Sequence, residues 1–450
     1  MARGSLFRFV GLLLPRPAGA AQLNRTLWRL AWPLMISNLG APLLGLTDSF
    51  VAGHLGSVSD FGAVILGANL MSILFWSFGF LRMGTTALAA QASAMPEQSF
   101  LVLIRALLSA LAIGLFLWIV APIAGWLILP HLGVSSAVVD ASERYCLIVL
   151  ISAPFYLVNL AVAGWLIGTS QTPRMLVMTI VITGVNILLD LVLVFGFGAG
   201  IAGIAAATVA AQITGTMLIA VPLLVQQQRK HGWPLPSIIL ERTALLALFS
   251  MNGHLWVRTV VLMLALSVPN ILAGRLDDTL LAANGLLWTL FILVSYFIDG
   301  FAVASETLAG KAHGQRDSAS MIAVTRTSMI LSWWMAIAMA VLLALFGSLA
   351  IFHITPLEPV QELALAHFWW VVMLPVSAVA CFVLDGLFIG AGETRALQGA
   401  MLISVAIFIP VILVMAALFS LHGIWASLHI FMAVRAFALA RRWPKLIKQA

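Results

Sequence analysis

The chain has 450 residues, of which 62% are hydrophobic and only 9% are charged. Soluble domains usually carry about a quarter charged residues, so this composition excludes an ordinary soluble enzyme, a disordered chain and a coiled coil. The formal net charge of +7 is explained better by the loops and tails of a membrane protein than by a nucleic-acid-binding surface. The apolar runs are long and continuous, which predicts membrane-spanning helices rather than the short alternating segments of a membrane β-barrel.

Twelve apolar segments follow one another, and each is predicted to cross the bilayer as a helix. The six spans of the first half are predicted at residues 27–52, 61–89, 100–129, 141–167, 175–195 and 201–225. The six spans of the second half are predicted at residues 245–273, 280–308, 321–351, 363–389, 397–419 and 424–439. The predicted fold is therefore an all-α polytopic membrane protein with twelve transmembrane helices in two six-helix bundles.

A polar, proline-containing connector at residues 226–242 lies at the midpoint and divides the chain into two lobes. The N-lobe is predicted at residues 27–225 and the C-lobe at 243–440. Basic cytoplasmic tails are predicted at residues 1–26 and 441–450. The first tail loosely resembles a targeting peptide, but prolines interrupt its apolar run after six residues, which is short for a signal core.

The distribution of Lys and Arg predicts the orientation in the membrane. With both termini in the cytoplasm, nearly all basic loop residues fall on the inner side, and the outer loops carry only Arg275. This asymmetry satisfies the positive-inside rule. We therefore expect a multi-pass protein of the inner (plasma) membrane with both termini cytoplasmic, and an organelle membrane is the alternative.

Short matches in the same order relate the two halves at offsets of 220 to 222 residues. They pair Ala52–Leu55 with Ala273–Leu276, Leu88–Ala92 with Leu308–Ala312, Gly164–Thr172 with Gly386–Thr394, and Gly203–Ile204 with Gly423–Ile424. Six spans per copy is an even number, so both copies insert in the same orientation. Such a parallel repeat is typical of transporters in which two halves rock about a central site.

Acidic residues at membrane depth are the first candidates for function, because an ionisable group there costs about 3 kcal/mol even on the lenient insertion scale. The five that meet this description are Asp48, Asp190, Asp299, Glu306 and Asp385. We expect Asp385, which lies nearer the inner end of its span, to pair with a basic loop.

A polar cluster is predicted in the first half. Asp48 lies late in the first span, and Asn186 and Asp190 lie four residues apart on one face of the fifth. Thr208 and Gln212 share a face of the sixth span in the same way. The second-half positions that correspond to Asp48, Asn186 and Asp190 are nonpolar, namely Pro269, Phe408 and Ile412. The cluster is thus confined to one half of the repeat.

A second acidic pair, Asp299 and Glu306, lies two helical turns apart on the eighth span, with Arg258 of the seventh span as the expected partner. Two interpretations stay open. The pair is either a substrate or proton site of the C-lobe, or an ion pair that holds two spans together, since intramembrane charges usually pair.

From about residue 27 to 440 the chain resembles the MATE (multidrug and toxic compound extrusion) family in its DinF-like branch. The resemblance is carried by Asp48, Pro33, Gly53-His54-Leu55-Gly56, Phe80–Thr86, Asn186 and Asp190 with Thr208, Asp299–Ala302, and Glu306 with Gly310–Gly314. It implies that Asp48, Asn186, Asp190 and Thr208 form the proton- or cation-coupling site, and that Pro33 is a conformational kink. The NorM-like branch has a carboxylate at the position of Ala378, so its second sodium site is not expected here.

The resemblance implies a secondary active efflux antiporter rather than an enzyme. It would export amphipathic or cationic organic compounds in exchange for H⁺, or for Na⁺ held by Asp48, Asn186, Asp190 and Thr208. We expect no cofactor, no other metal and no nucleic-acid partner, and we expect a monomer that contacts small organic substrates and the bilayer. A flippase for lipid-linked cargo is the alternative, and a membrane-embedded enzyme is a remote one.

Overall fold

A computed structural model describes residues 20–55, 57–131 and 135–449. Most of the predicted N-terminal tail, with its resemblance to a targeting peptide, and Gly56 of the motif after the first span lie outside the described residues. Within these ranges the chain is almost entirely helical and forms no strand. The predicted all-helical class is confirmed.

The helices begin and end close to the predicted spans. The first half contains α1 (Ala20–Asn38), α2 (Gly40–Gly53), α3 (Val58–Ser77), α4 (Phe80–Gln91), α5 (Pro96–Ile128), α6 (Ser136–Leu150), α7 (Ala153–Gly168), α8 (Thr172–Asp190), α9 (Gly200–Gly215) and α10 (Val221–His231). The second half contains α11 (Pro236–Ile239), α12 (Arg242–Leu276), α13 (Asp278–Gly314), α14 (Ser318–Ile354), α15 (Glu358–Gly390), α16 (Thr394–Ala440) and α17 (Trp443–Gln449).

The span count agrees with the twelve-helix prediction. Among the described residues, 10 helical stretches are long and apolar enough to cross a membrane. The pair α6 and α7, bent by 51° at a short break, raises the number to 11. The 47-residue α16 contains two helices joined at Ser420, whose backbone is non-helical at φ 53° and ψ −132°. These two helices correspond to the predicted eleventh and twelfth spans.

The chain divides into two compact units. The N-terminal unit consists of Ile36–Phe249, and the C-terminal unit consists of residues 20–35 together with 250–449. Residues 27–35 were instead predicted to belong to the N-lobe. Their packing explains the difference, because Gly300 of α13 lets α1 approach so closely that a Cβ there would lie 3.1 Å from the Ala31 carbonyl oxygen.

The repeat is visible in how the helices pack within each unit. Gly164 and Gly168 place α7 directly on α4, where an added Cβ at Gly168 would lie 2.9 Å from Ala89 Cβ. Gly386 and Gly390 place α15 on α13 in the same way, where an added Cβ at Gly390 would lie 2.9 Å from the Gly310 nitrogen. Small residues four apart allow this close approach of helix backbones. The glycines matched in sequence therefore have the same packing role in both halves.

Candidate cation-coupling site

Two carboxyl groups from different helices meet inside the N-terminal unit. Asp190 ends α8 and is fully buried, whereas Asp48 of α2 is half-buried. A hydrogen bond joins the two side chains. Both residues were candidates from the sequence, and the structure brings them together.

A hydrogen bond between two carboxyl groups requires a proton, since an ionised carboxylate only accepts. The Oδ1 atoms of Asp48 and Asp190 are buried and receive no hydrogen bond from another described residue. Within the described part of the chain, no Lys, Arg or His forms an ion pair with either side chain. Two like charges about 4 Å apart repel by about 4 kcal/mol at an effective dielectric of about 20. A single shared proton removes this repulsion.

Asn186 and Thr208 support the acidic pair. In the amide orientation that satisfies both of its polar atoms, Asn186 Nδ2 donates to Asp190 Oδ2 at 3.0 Å. Its Oδ1 then accepts from the backbone nitrogen and the hydroxyl of Thr208, at 3.3 and 3.2 Å. The i, i+4 spacing places Asn186 beside Asp190, while α9 supplies Thr208. All four residues of the predicted coupling site therefore lie in one hydrogen-bonded cluster.

The helix changes its geometry immediately after the acidic residue. Residues Leu191–Gly196, which directly follow Asp190, form a π-helical segment. Such segments are rare and occur frequently at functional sites, because they shift backbone and side chains out of the regular helical register. This span was predicted as one regular helix, since its continuous apolar run contains no signal for the change.

Tyr145 of α6, which was not among the predicted site residues, lies beside the acidic pair. Its side chain is buried and close enough to both carboxyl groups for an electrostatic interaction. Gly67 of α3 makes room for its ring, because a Cβ there would lie 3.2 Å from Tyr145 Cγ. Only three tyrosines occur in the chain. The rare phenol of Tyr145 within a predicted span is the sequence signal that could have identified this residue.

Gln212, a secondary candidate, belongs to a different polar network. Asn159 Nδ2 donates to Gln212 Oε1 at 3.0 Å and to its backbone oxygen at 2.9 Å. The Thr216 hydroxyl donates to Asn159 Oδ1 at 3.0 Å. Both oxygen atoms of Gln212 thus accept hydrogen bonds from α7, which is an interhelical packing contact.

In the C-terminal unit, Asp385 of α15 is held by two arginines. Arg258 of α12 binds the Asp385 Oδ2 atom, and Arg435 of α16 reaches the same atom at 2.5 Å. All three residues are buried. The expectation that Asp385 pairs with a basic loop is wrong, because both partners lie within long helices. Arg435 lies within the predicted twelfth span and is only 5% exposed.

The expected partnership of Arg258 with Asp299 and Glu306 is also wrong, because its ion pair is with Asp385. Glu306 is buried in α13, and Asp299 is half-buried with Tyr296 close enough to interact electrostatically. The ion pair of Arg258 is therefore made with α15 and not with α13, and both interpretations of Asp299 and Glu306 stay predictions.

Pro33, the predicted kink, is buried within α1. A proline inside a helix removes one backbone hydrogen bond and disturbs the preceding turn. The first span is interrupted six residues later, at Leu39, between α1 and α2. The role of Pro33 as a conformational kink stays a prediction.

An all-helical membrane chain whose two halves are related by a sequence repeat has the organisation of membrane transporters built from two related bundles. The family model described as MatE matches the chain at residues 33–192 and 257–415, once in each half. These segments cover more than half of the chain, which therefore belongs to the MATE family of transporters. The predicted family is confirmed.

Individual relatives agree with this assignment. The chain is 34% identical to the DNA damage-inducible protein F of Escherichia coli (strain K12), over 94% of this chain and 92% of that protein. It is 27% identical to the chloroplastic protein DETOXIFICATION 44 of Arabidopsis thaliana, over 94% of this chain and 83% of that protein.

A solved structure has the same fold. It is described as the outward-facing conformation of a multidrug resistance MATE family transporter of the MOP superfamily. The match has a TM-score of 0.86 at 18% identity and covers 97% of this chain and 100% of that one. At this identity the likeness shows the shared fold.

Proposed function

We propose that the protein is a secondary active antiporter that exports amphipathic or cationic organic compounds in exchange for protons. The observation that carries this proposal is the hydrogen bond between the carboxyl groups of Asp48 and Asp190. A pair that needs one proton to remain together can bind that proton on one side of a membrane and release it on the other. Proton binding then biases the equilibrium between two conformations.

The hydrogen bonds of Asn186 favour H⁺ over Na⁺ as the coupling ion. Asp48, Asp190, Asn186 and Thr208 offer the oxygen ligands that a hard cation prefers. However, Asn186 Oδ1 accepts from Thr208, and Asp190 Oδ2 accepts from Asn186. A bound Na⁺ would have to compete with these donors, whereas a proton between the carboxyl groups leaves them intact. Na⁺ coupling is the second candidate.

The proposed setting follows from the sequence and the family. We place the protein in a plasma membrane as a monomer with both termini in the cytoplasm, which is the orientation that the positive-inside rule favours. The proposal needs no cofactor and no chemical transformation of the substrate, since the ion gradient supplies the free energy.

The test uses purified protein in liposomes loaded with ethidium, first with a pH gradient alone and then with a Na⁺ gradient alone. We expect the pH gradient to accelerate efflux, and we expect Asp48→Asn and Asp190→Asn to reduce it to the level of protein-free liposomes. Asp140→Asn is the matched control, because Asp140 is an exposed carboxylate of the same unit.

Each other outcome has a definite meaning. Normal pH-driven efflux by well-folded Asp48→Asn and Asp190→Asn would refute the role of the pair. Acceleration by Na⁺ alone would establish the second candidate at the same residues. A response to neither gradient, together with movement of a fluorescent lipid-linked sugar between leaflets, would favour the flippase alternative.

A further inference from the structure

A cavity of about 570 Å³ lies in the C-terminal unit, where the ends of α15 and α16 meet α17. Three cationic side chains line it, Arg395, Arg442 and Lys445, against one carboxylate, Glu393. No described residue forms an ion pair with any of the three cations. The candidate coupling site lies in the other unit, so this cavity requires a separate explanation.

Arg442 is positioned for an additional partner. One of its guanidinium nitrogens, Nη1, donates to the Ala396 carbonyl oxygen at 2.9 Å. The side chain rests against Gly399, where a Cβ would lie 3.2 Å from both Nη atoms. A guanidinium has five N–H donors in a planar fork that matches phosphate oxygens. Its other donors are therefore available to an anion in the cavity.

The short helix α17 is anchored on both sides of Lys445. Trp443 is buried, and its Nε1 donates to the Thr325 hydroxyl of α14 at 3.3 Å. The Ser318 hydroxyl, also in α14, donates to the Ile447 carbonyl oxygen at 3.0 Å. These contacts hold the backbone that carries Arg442 and Lys445, so little ordering is needed when an anion binds.

The wall of the cavity also includes apolar side chains, among them Phe388, Leu446 and Leu402. Leu402 of α16 is 46% exposed, and it lies on a helix that crosses the membrane. The cavity thus combines cations with an apolar side that continues onto the surface of a membrane-spanning helix. A lipid has this combination of an anionic headgroup and apolar chains, whereas a free anion has only the first.

We propose that this cavity binds the phosphate headgroup of an anionic glycerophospholipid, with Arg395, Arg442 and Lys445 as its cationic partners. Basic cavities between transmembrane helices at the cytoplasmic surface are suited to such headgroups. The cavity lies at the end of the C-terminal unit that the basic-residue distribution predicts to be cytoplasmic. A lipid bound there would link α15, α16 and α17. This inference does not depend on the identity of the coupling ion.

The experiment is native mass spectrometry of the purified full chain, titrated with dioleoylphosphatidylglycerol or with dioleoylphosphatidylcholine. We expect the protein to retain phosphatidylglycerol in preference to phosphatidylcholine. Arg395→Gln and Lys445→Gln should each weaken retention about 5-fold, which corresponds to about 1 kcal/mol per basic residue near a membrane surface. Both residues are exposed, so the variants should fold.

The matched control is the double variant Arg441→Gln/Lys448→Gln, which removes two cations from the same segment outside the cavity lining. It should retain the lipid as the unsubstituted protein does. Equal loss in the control and in Arg395→Gln/Lys445→Gln would overturn the proposal, since it would reflect general surface charge. Complete displacement of the lipid by excess inorganic phosphate would overturn the lipid assignment in favour of a free anion.

Discussion

The two halves of this transporter differ in whether their acidic residues have basic partners within the protein. In the N-terminal unit, Asp48 and Asp190 face each other, and neither has an ion-pair partner among the described residues. In the C-terminal unit, Asp385 lies between Arg258 and Arg435. A carboxylate that the protein itself compensates contributes to the fold. A carboxyl pair that only a proton or another cation can compensate meets the requirement of the proposed coupling.

The repeat shows that these charges are additions to a shared scaffold. The first-half positions corresponding to Arg258, Asp385 and Arg435, at the offsets of 221, 222 and 220, are Ser37, Ala163 and Gly215. Conversely, Phe408 and Ile412, which correspond to Asn186 and Asp190, are fully buried in the apolar core of the C-terminal unit. The glycine contacts are common to both halves, whereas each half has its own polar cluster.

The largest expected effect is on the C-terminal cluster. Asp385→Ala leaves two buried arginines without an anion, and breaking a buried ion pair in this way typically costs about 3–5 kcal/mol. We expect a large drop in the thermal unfolding temperature in detergent. Glu358→Gln, which removes an exposed carboxylate from the same helix, should have almost no effect. Asp190→Asn should cost less than Asp385→Ala, and an equal loss would contradict the distinction between the two clusters.

The next largest effect is expected at the glycine-mediated helix contacts that both halves share. Gly168→Ala and Gly390→Ala each force a Cβ into a helix contact of 2.9 Å or less, and overpacking of this kind costs about 1–3 kcal/mol. Gly184→Ala and Gly285→Ala are the controls, because an added Cβ meets nothing within 4 Å at either position. Thermal unfolding of the four variants measures the difference. Destabilisation in only one half would show that the repeated glycines are not equivalent.

The smallest expected effect concerns the N-termini of two equivalent helices, only one of which has a side-chain cap. Asp317 caps α14, and its pKa lies below the usual 3.8, first because the Ser320 hydroxyl donates to it and then because the Ser320 backbone N–H does. The equivalent α5 begins at Pro96 without a side-chain cap. The lowered folded-state pKa means that Asp317 stabilises the protein above its unfolded-state pKa, and that this contribution disappears as the pH falls through the folded-state pKa.

We therefore expect Asp317→Ala to lower the unfolding temperature at neutral pH. The difference from the unsubstituted protein should shrink below about pH 4, where the capping carboxylate of the latter becomes protonated. Unfolding temperatures measured across this pH range check the prediction. A difference that stays constant down to the lowest pH would show that Asp317 does not act through its charge.

The sequence by itself determined the helices, the repeat and the members of the polar cluster in the N-terminal unit. The spans could be predicted because every backbone polar group in a bilayer must form its hydrogen bond within the helix. A helix that crosses the bilayer therefore appears in the sequence as a long apolar run. Asn186 and Asp190 could be predicted as neighbours because residues four apart on one helix lie on the same face. Asp48 could be selected as a candidate because an acidic residue at membrane depth is costly and therefore rare.

Only the tertiary structure decided which helices supply the partners of each polar side chain. It paired Arg258 with Asp385, buried Arg435 and connected Gln212 to Asn159. It also placed Tyr145 beside the acidic pair and grouped residues 20–35 with the C-terminal unit. These contacts join positions far apart in the chain, and the spacing of residues along one helix carries no information about which face of another helix will meet it.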